Sequence, residues 1–252
     1  MVSEKSFVLK EEELPFAGGG RKLPVFVVGP EEGSHPGLIL VHEIFGLNDH
    51  IRDVSRRFAA QGLRVFAPDL FFGRDGLPED RNDLDAMRAV WANIPDEELI
   101  SDLRRLHAFA ASRDDVIAET IGAIGYCMGG AIAFMFACSL PHIAFVIDYY
   151  GRIRYPQLSA NKPRHPIEYL RGNVCPVLGL FSGVDPLIPQ EDVDLFHETL
   201  KKCSPDLVVK VYPNAPHAFF NDQRENYDKE AADDAWALTL EFIERQVVVK
   251  QQ

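Results

Sequence analysis

The chain has 252 residues, 46% apolar and 25% charged, an ordinary globular balance with enough apolar material to bury a full core. A formal net charge of −12, with no Lys/Arg-rich run to override it, argues against a nucleic-acid partner, and no apolar run of about 18 residues suggests a membrane span. The four cysteines, Cys127, Cys138, Cys175 and Cys203, form no CxxC pair and no zinc-spaced cluster with histidine, so neither a disulfide framework nor a metal site is expected.

The segment Met1 to Lys5 lacks the apolar run of a secretory leader, and a cytoplasmic protein is expected. Ala17-Gly18-Gly19-Gly20 reads as a turn rather than a spacer, and no composition shift divides the chain, so one domain over 1–252 is expected. Short β-rich apolar runs at 25–28, 37–41, 64–67, 121–125, 144–148, 177–181 and 208–212 read as strands. Segments of helical composition lie between and after them, at 49–61, 96–112, 128–140, 190–203 and 226–245. Strands apolar on both faces, each followed by a helix, call for a mostly parallel sheet of seven to eight strands covered on both sides. In such a sheet functional groups gather in the loops beyond the carboxyl ends of the strands. No internal repeat, low-complexity tract or coiled-coil heptad is present, and oligomeric state is not legible at this level.

The most informative segment is Ile121-Gly-Ala-Ile-Gly125-Tyr-Cys127-Met128-Gly129-Gly130, an apolar strand running through Gly-x-Cys-x-Gly into an apolar helix. A nucleophile elbow requires this order: a strained turn lifts one side chain above the sheet while the flanking glycines let neighbouring backbone pass. At a helix N-terminus the unpaired N–H groups and the dipole favour a thiolate at Cys127. The thiol still needs a base. His217, in Pro213-Asn-Ala-Pro216-His217-Ala-Phe219-Phe-Asn221, follows the last strand and sits where a loop can bring imidazole over the elbow. Asp185 follows the preceding strand and is the acid to hold that imidazole, although Asp-Pro is also a common turn opener. The order Cys127, Asp185, His217 is the nucleophile, acid, base order of α/β-hydrolases.

Glu43 ends the strand whose following loop supplies half of the oxyanion hole in that fold, which assigns the backbone N–H of Ile44 to pair with that of Met128. A carboxylate there can hold or deprotonate the thiol, or simply cap the turn. His42, beside it, is the one other histidine placed to belong to the pocket lining.

Together these residues resemble the dienelactone hydrolase family, also called carboxymethylenebutenolidases. The resemblance runs from about Phe26 to Phe242 and is strongest at Glu43-Ile-Phe-Gly46, Gly125 to Gly130, Gly183-Val-Asp185 and Pro216-His-Ala-Phe219. It implies an α/β-hydrolase fold and a small-molecule lactone or ester as substrate. By it, Cys127 is nucleophile, Asp185 and His217 complete the triad, and Glu43 pairs with the resting thiol and takes its proton when substrate arrives. No metal or organic cofactor is expected. Tyr149-Tyr150-Gly151 resembles the family's segment bordering the pocket, packing being the alternative. Phe219 and Trp91 are expected to contact substrate. Family members that cleave dienelactone hold the substrate carboxylate with arginines, one of them four residues beyond the catalytic histidine, where this chain has Asn221. Arg88 is the candidate to supply a cation instead, or else is a solvated helix charge. Two other readings stand beside lactone hydrolysis: a broader carboxylesterase or thioesterase, and a noncatalytic binding module, which would normally lack a triad member.

Overall fold

A computed structural model describes residues 8–18, 21–140 and 142–250; Gly19 and Gly20 of the expected turn, and the Met1 to Lys5 segment, lie outside the described residues. Leu9–Gly18 (β1) and Arg21–Pro30 (β2) pair antiparallel, with Leu9 opposite Pro30 and Gly18 opposite Arg21. Sequence patterning does not predict β1, because Glu11, Glu12, Glu13 and Pro15 interrupt its apolar residues. At the edge of a sheet, where β1 lies, both charge and proline are tolerated.

β2 pairs antiparallel with Arg64–Pro68 (β4), and every later pairing is parallel. β4 joins His35–Val41 (β3), which joins Val116–Tyr126 (β5), followed by Val146–Tyr149 (β6), Val177–Ser182 (β7) and Leu207–Tyr212 (β8). The order among the described residues is β1-β2-β4-β3-β5-β6-β7-β8, the mostly parallel sheet that the apolar runs call for. The expected strand at 121–125 is the buried end of β5, whose first half carries the exposed residues Ala118 and Glu119.

One face is covered by Asp49–Ala60 (α1), lying on β2 and β4, and Lys229–Lys250 (α6), lying on β5 and β7. The Phe58 and Trp236 rings meet between these two helices with centroids 4.5 Å apart. The Asn48 side chain starts α1 by accepting the Ile51 amide at 3.1 Å, and the helix buries Ile51, Val54 and Phe58. The other face carries Asp96–Ala111 (α3), Met128–Ser139 (α4) and Gln190–Leu200 (α5). α4 is apolar all round because it is wedged between the sheet and its neighbours, with Phe134 against Phe196 of α5.

Leu84–Asn93 (α2) buries only Met87 and Val90 on its own account. Its end is fixed by a buried ion pair: Lys162 Nζ lies 2.7 Å from Asp96 and donates to the Ile94 carbonyl at 2.8 Å. The same ammonium sits 4.9 Å from the Trp91 ring centroid, and Tyr155 donates its hydroxyl to Asp96. This cluster ties the loop around residue 160 to the corner between α2 and α3 and sets the roof of the cleft described next. No helix among the described residues is long and apolar enough to cross a membrane.

Candidate active site

Cys127 falls between β5 and α4 with φ 55° and ψ −117°, a conformation that an L-residue holds only under constraint. The constraint is close packing of bare backbone. A Cβ on Gly125 would fall on the Gly129 carbonyl, one on Gly129 on the carbonyls of Val41 and His42, and one on Gly130 on the Asp148 carboxylate. The Cys127 amide donates to the Tyr149 carbonyl at 2.9 Å, and buried Asp148, its carboxyl pushed up to about 7 by burial, accepts the Gly151 amide at 2.8 Å. The elbow is thereby pinned to the end of β6.

Asp185 lies in the turn after β7, its side chain shielded from solvent. Oδ1 accepts the Leu187 amide at 2.8 Å, which turns Oδ2 toward Nδ1 of His217 at 2.5 Å. His217 stands in the turn after β8, where Ser182 holds the Pro216 carbonyl at 2.8 Å and Asn226 donates to the His217 carbonyl at 3.1 Å. Its other nitrogen, Nε2, is 3.1 Å from Cys127 Sγ. Burial opposes protonation of this ring, but the negative charge of Cys127 and the hydrogen bond and charge of Asp185 outweigh it and push His217 up to about 10. The arrangement therefore favours an imidazolium facing a sulfur.

Glu43 is 2% exposed and does not bond to the thiol. Its Oε2 accepts Asn221 Nδ2 at 2.6 Å, while Oε1 is buried without a hydrogen-bond partner. Asn221, the residue standing where the family resemblance implies an arginine, is itself buried and so acts on Glu43 instead of on solvent-borne groups. This differs from the resting pair of carboxylate and thiol that the resemblance implies.

A cleft of about 770 Å³ opens above the sulfur. Of the residues singled out in the sequence, Glu43, Ile44, Cys127, Met128, Tyr150, His217, Arg88 and Trp91 line it. Asp185 lies behind His217. Three others lie elsewhere: His42, expected in the pocket lining, is fully buried outside it, its ring held between the Leu70 amide and the Glu43 carbonyl. Tyr149 is fully buried with its hydroxyl on Thr239 and the Ala235 carbonyl, because alternation along β6 turns it under the sheet toward α6. Phe219 is fully buried against Tyr149, Tyr150 and Tyr212; after Ala218, at φ 62°, the chain turns inward and carries this ring with it. Tyr150, at φ 43°, does turn to the cleft, its ring 5.3 Å from that of His217.

Three arginines line the cleft. Arg88 is paired with exposed Asp85. Arg224 stacks 3.9 Å from the Phe45 ring centroid and donates to Asn82, and half-buried Arg152 donates to the Leu187 carbonyl. Neither of these two has a carboxylate partner within ion-pair distance among the described residues. Both escaped the sequence reading, although Arg152 directly follows Tyr149-Tyr150-Gly151 and its place beyond a strand end was a signal. No group of three or more His, Cys, Asp or Glu side chains among the described residues is arranged to hold a metal ion.

A sequence model of the dienelactone hydrolase family matches residues 23–247. A protein of Salmonella typhi named "Putative carboxymethylenebutenolidase" is 35% identical over 227 residues, covering 89% of this chain and 83% of the relative. A protein of the same name from Saccharolobus solfataricus is 32% identical, covering 93% and 98%. The crystal structure of a "Putative Dienelactone Hydrolase" from Klebsiella pneumoniae superposes with a TM-score of 0.81 at 30% identity, over 94% of this chain and 98% of that one.

Proposed function

The chain belongs to the dienelactone hydrolase family, and on that premise we propose that it hydrolyses a lactone or small carboxylic ester through a thioester on Cys127. The observation that carries this reading is the unbroken line from Asp185 through His217 to the Cys127 sulfur, at 2.5 and 3.1 Å, ending at the head of the cleft.

His217 holds the proton it has taken from the Cys127 thiol, and the sulfur so freed attacks the ester carbon while the carbonyl electron pair moves to oxygen. The amides of Ile44 and Met128 receive that oxyanion. As the tetrahedral intermediate collapses, the C–O bond to the leaving alkoxide breaks and the imidazolium returns its proton to it. In a lactone the alcohol so formed stays attached to the acyl group. His217, oriented by Asp185, then draws a proton from water; hydroxide adds to the thioester, the C–S bond breaks, and a carboxylic acid leaves. His217 is better placed as base than Glu43, whose reach to the sulfur requires release from Asn221.

Arg152 and Arg224 favour a substrate that carries a carboxylate away from the scissile bond, since each offers a guanidinium with no acid of its own. A neutral ester or thioester is the second reading, favoured by the apolar walls of Ile44, Leu84, Trp91 and Leu187. Turnover of paired substrates, an anionic lactone and a neutral ester of similar size, decides between them. Cys127→Ala is expected to abolish turnover of both, and wild-type-like turnover by that variant would remove the proposal.

A further inference from the structure

His42 follows β3 directly, is fully buried, and meets two opposite demands with its two ring nitrogens. Nε2 accepts the backbone N–H of Leu70 at 3.1 Å, so it carries no proton. The one proton of the neutral ring then sits on Nδ1, which donates to the Glu43 carbonyl oxygen at 2.6 Å. Phe71 packs on the same ring, with centroids 5.2 Å apart.

The Glu43 carbonyl also accepts the Gly46 amide at 3.1 Å, closing a turn in which Gly46 takes φ 81°. Two donors thus fix the orientation of the peptide joining Glu43 to Ile44. A trans peptide is planar, so its N–H points away from its C=O. With the carbonyl held by His42 and Gly46, the Ile44 N–H points to the opposite edge of that unit, and no acceptor among the described residues takes it. Glu43, Ile44, Cys127 and Met128 line one cleft, and the close approach of Gly129 to the carbonyls of Val41 and His42 sets the first turn of α4 beside this peptide.

We infer that His42 is a positioning residue of the oxyanion hole: by gripping the Glu43 carbonyl it aims the Ile44 amide at the carbonyl oxygen of the bound ester, without touching substrate. The inference rests on the thioester reading above. It makes His42 important wherever negative charge develops on that oxygen and irrelevant wherever it does not. Acylation by an ester is of the first kind. Alkylation of Cys127 by iodoacetamide is of the second, since the sulfur displaces iodide from a saturated carbon, iodide leaves with the bonding pair, and no oxyanion forms.

The test measures both reactions in His42→Leu, His42→Asn and His42→Gln: the pre-steady-state burst from p-nitrophenyl acetate, and iodoacetamide labelling of Cys127 read on its peptide. Removing an oxyanion donor outright costs about 100- to 1,000-fold, and here the donor is misaimed rather than deleted. His42→Leu should therefore slow acylation roughly 10- to 100-fold relative to alkylation. His42→Asn, whose amide nitrogen stands where Nδ1 does, should recover most of the loss, and His42→Gln, whose amide reaches toward Nε2, should not. An unchanged ratio of acylation to alkylation in His42→Leu overturns the inference, as does Gln rescuing as well as Asn; should the Leu variant not fold, the Asn and Gln comparison decides alone. Cys127→Ala, run in parallel, reports on the underlying reading separately: a surviving burst there removes the nucleophile assignment whatever the His42 variants do.

Discussion

Asn221 donates its amide to Glu43, and in the proposed mechanism that bond leaves the Cys127 proton to His217. A hydrogen bond to a buried carboxylate contributes about 1.5–3 kcal/mol, so Asn221→Ala should lower stability by that order, measured as a shift in urea midpoint. It should also slow alkylation of Cys127, because a released Glu43 brought beside the sulfur accepts a hydrogen bond from the thiol and opposes a thiolate next to its own charge; labelling at the wild-type rate would show that the tether has no bearing on the nucleophile. Arg152 makes the complementary prediction for substrate. Arg152→Gln keeps a donor for the Leu187 carbonyl but loses the charge, so KM for an anionic lactone should rise roughly 10- to 100-fold while kinetics on a neutral ester stay put. Equal losses on both substrates would argue that Arg152 supports the cleft wall instead. Cys127, Asp185, His217 and Glu43 were legible in the sequence because each occupies a strand end with its own local signature. Arg152, Arg224 and the tether from Asn221 were not, since a guanidinium without a carboxylate partner and an amide turned inward are properties of three-dimensional neighbours.

The junction of β3, β5 and α4 is where backbone packing becomes chemistry. Gly129 lets the first turn of α4 press against the end of β3, and Met128 and Ile44, on either side of that contact, line the same cleft. Gly129→Ala puts a methyl group on the carbonyls of Val41 and His42; neither is a flexible side-chain end, so the helix must move. Overpacking of this kind costs about 1–3 kcal/mol, and a misaligned oxyanion hole should lower kcat well beyond what that stability loss explains. Unfolding curves and kcat measured on the same preparation separate the two effects, and a variant with normal kcat would show that the contact is merely structural. The central strands were readable because burial on both faces leaves an uninterrupted apolar run. β1 was not, because its partner covers only one edge and its charges carry no penalty there. Tyr149 and Phe219 were assigned to the pocket from their neighbours in the chain, whereas strand alternation and a positive φ at Ala218 send both rings beneath it.

Across the molecule, six of the seven tyrosines are held above their ordinary pKa, burial being the foremost cause for each. Burial raises Cys138 as well, and His217 is raised to about 10. A group whose pKa is higher folded than unfolded contributes stability that is complete below the unfolded value and disappears as pH climbs through the folded one. For the phenols that loss begins near pH 10, where the unfolded chain ionises first; Lys162, pushed down by burial, works in the opposite sense. Tyrosinate absorbance should therefore appear together with loss of helical circular dichroism above about pH 10. Titration of any of these six phenols while the fold persists would contradict the burial described for them. The fold class was legible from alternation of strand and helix, but the cleft was not, because its roof depends on Lys162 meeting Asp96 and Trp91 across some seventy positions of chain. The claim on which the whole account turns is covalent: a carboxylic acyl group passes through the Cys127 sulfur. Enzyme mixed with p-nitrophenyl acetate, quenched in acid within the first turnover and digested, should carry one acetyl group on the peptide containing Cys127 and none in the Cys127→Ala variant; an unmodified Cys127 peptide during active turnover would contradict it.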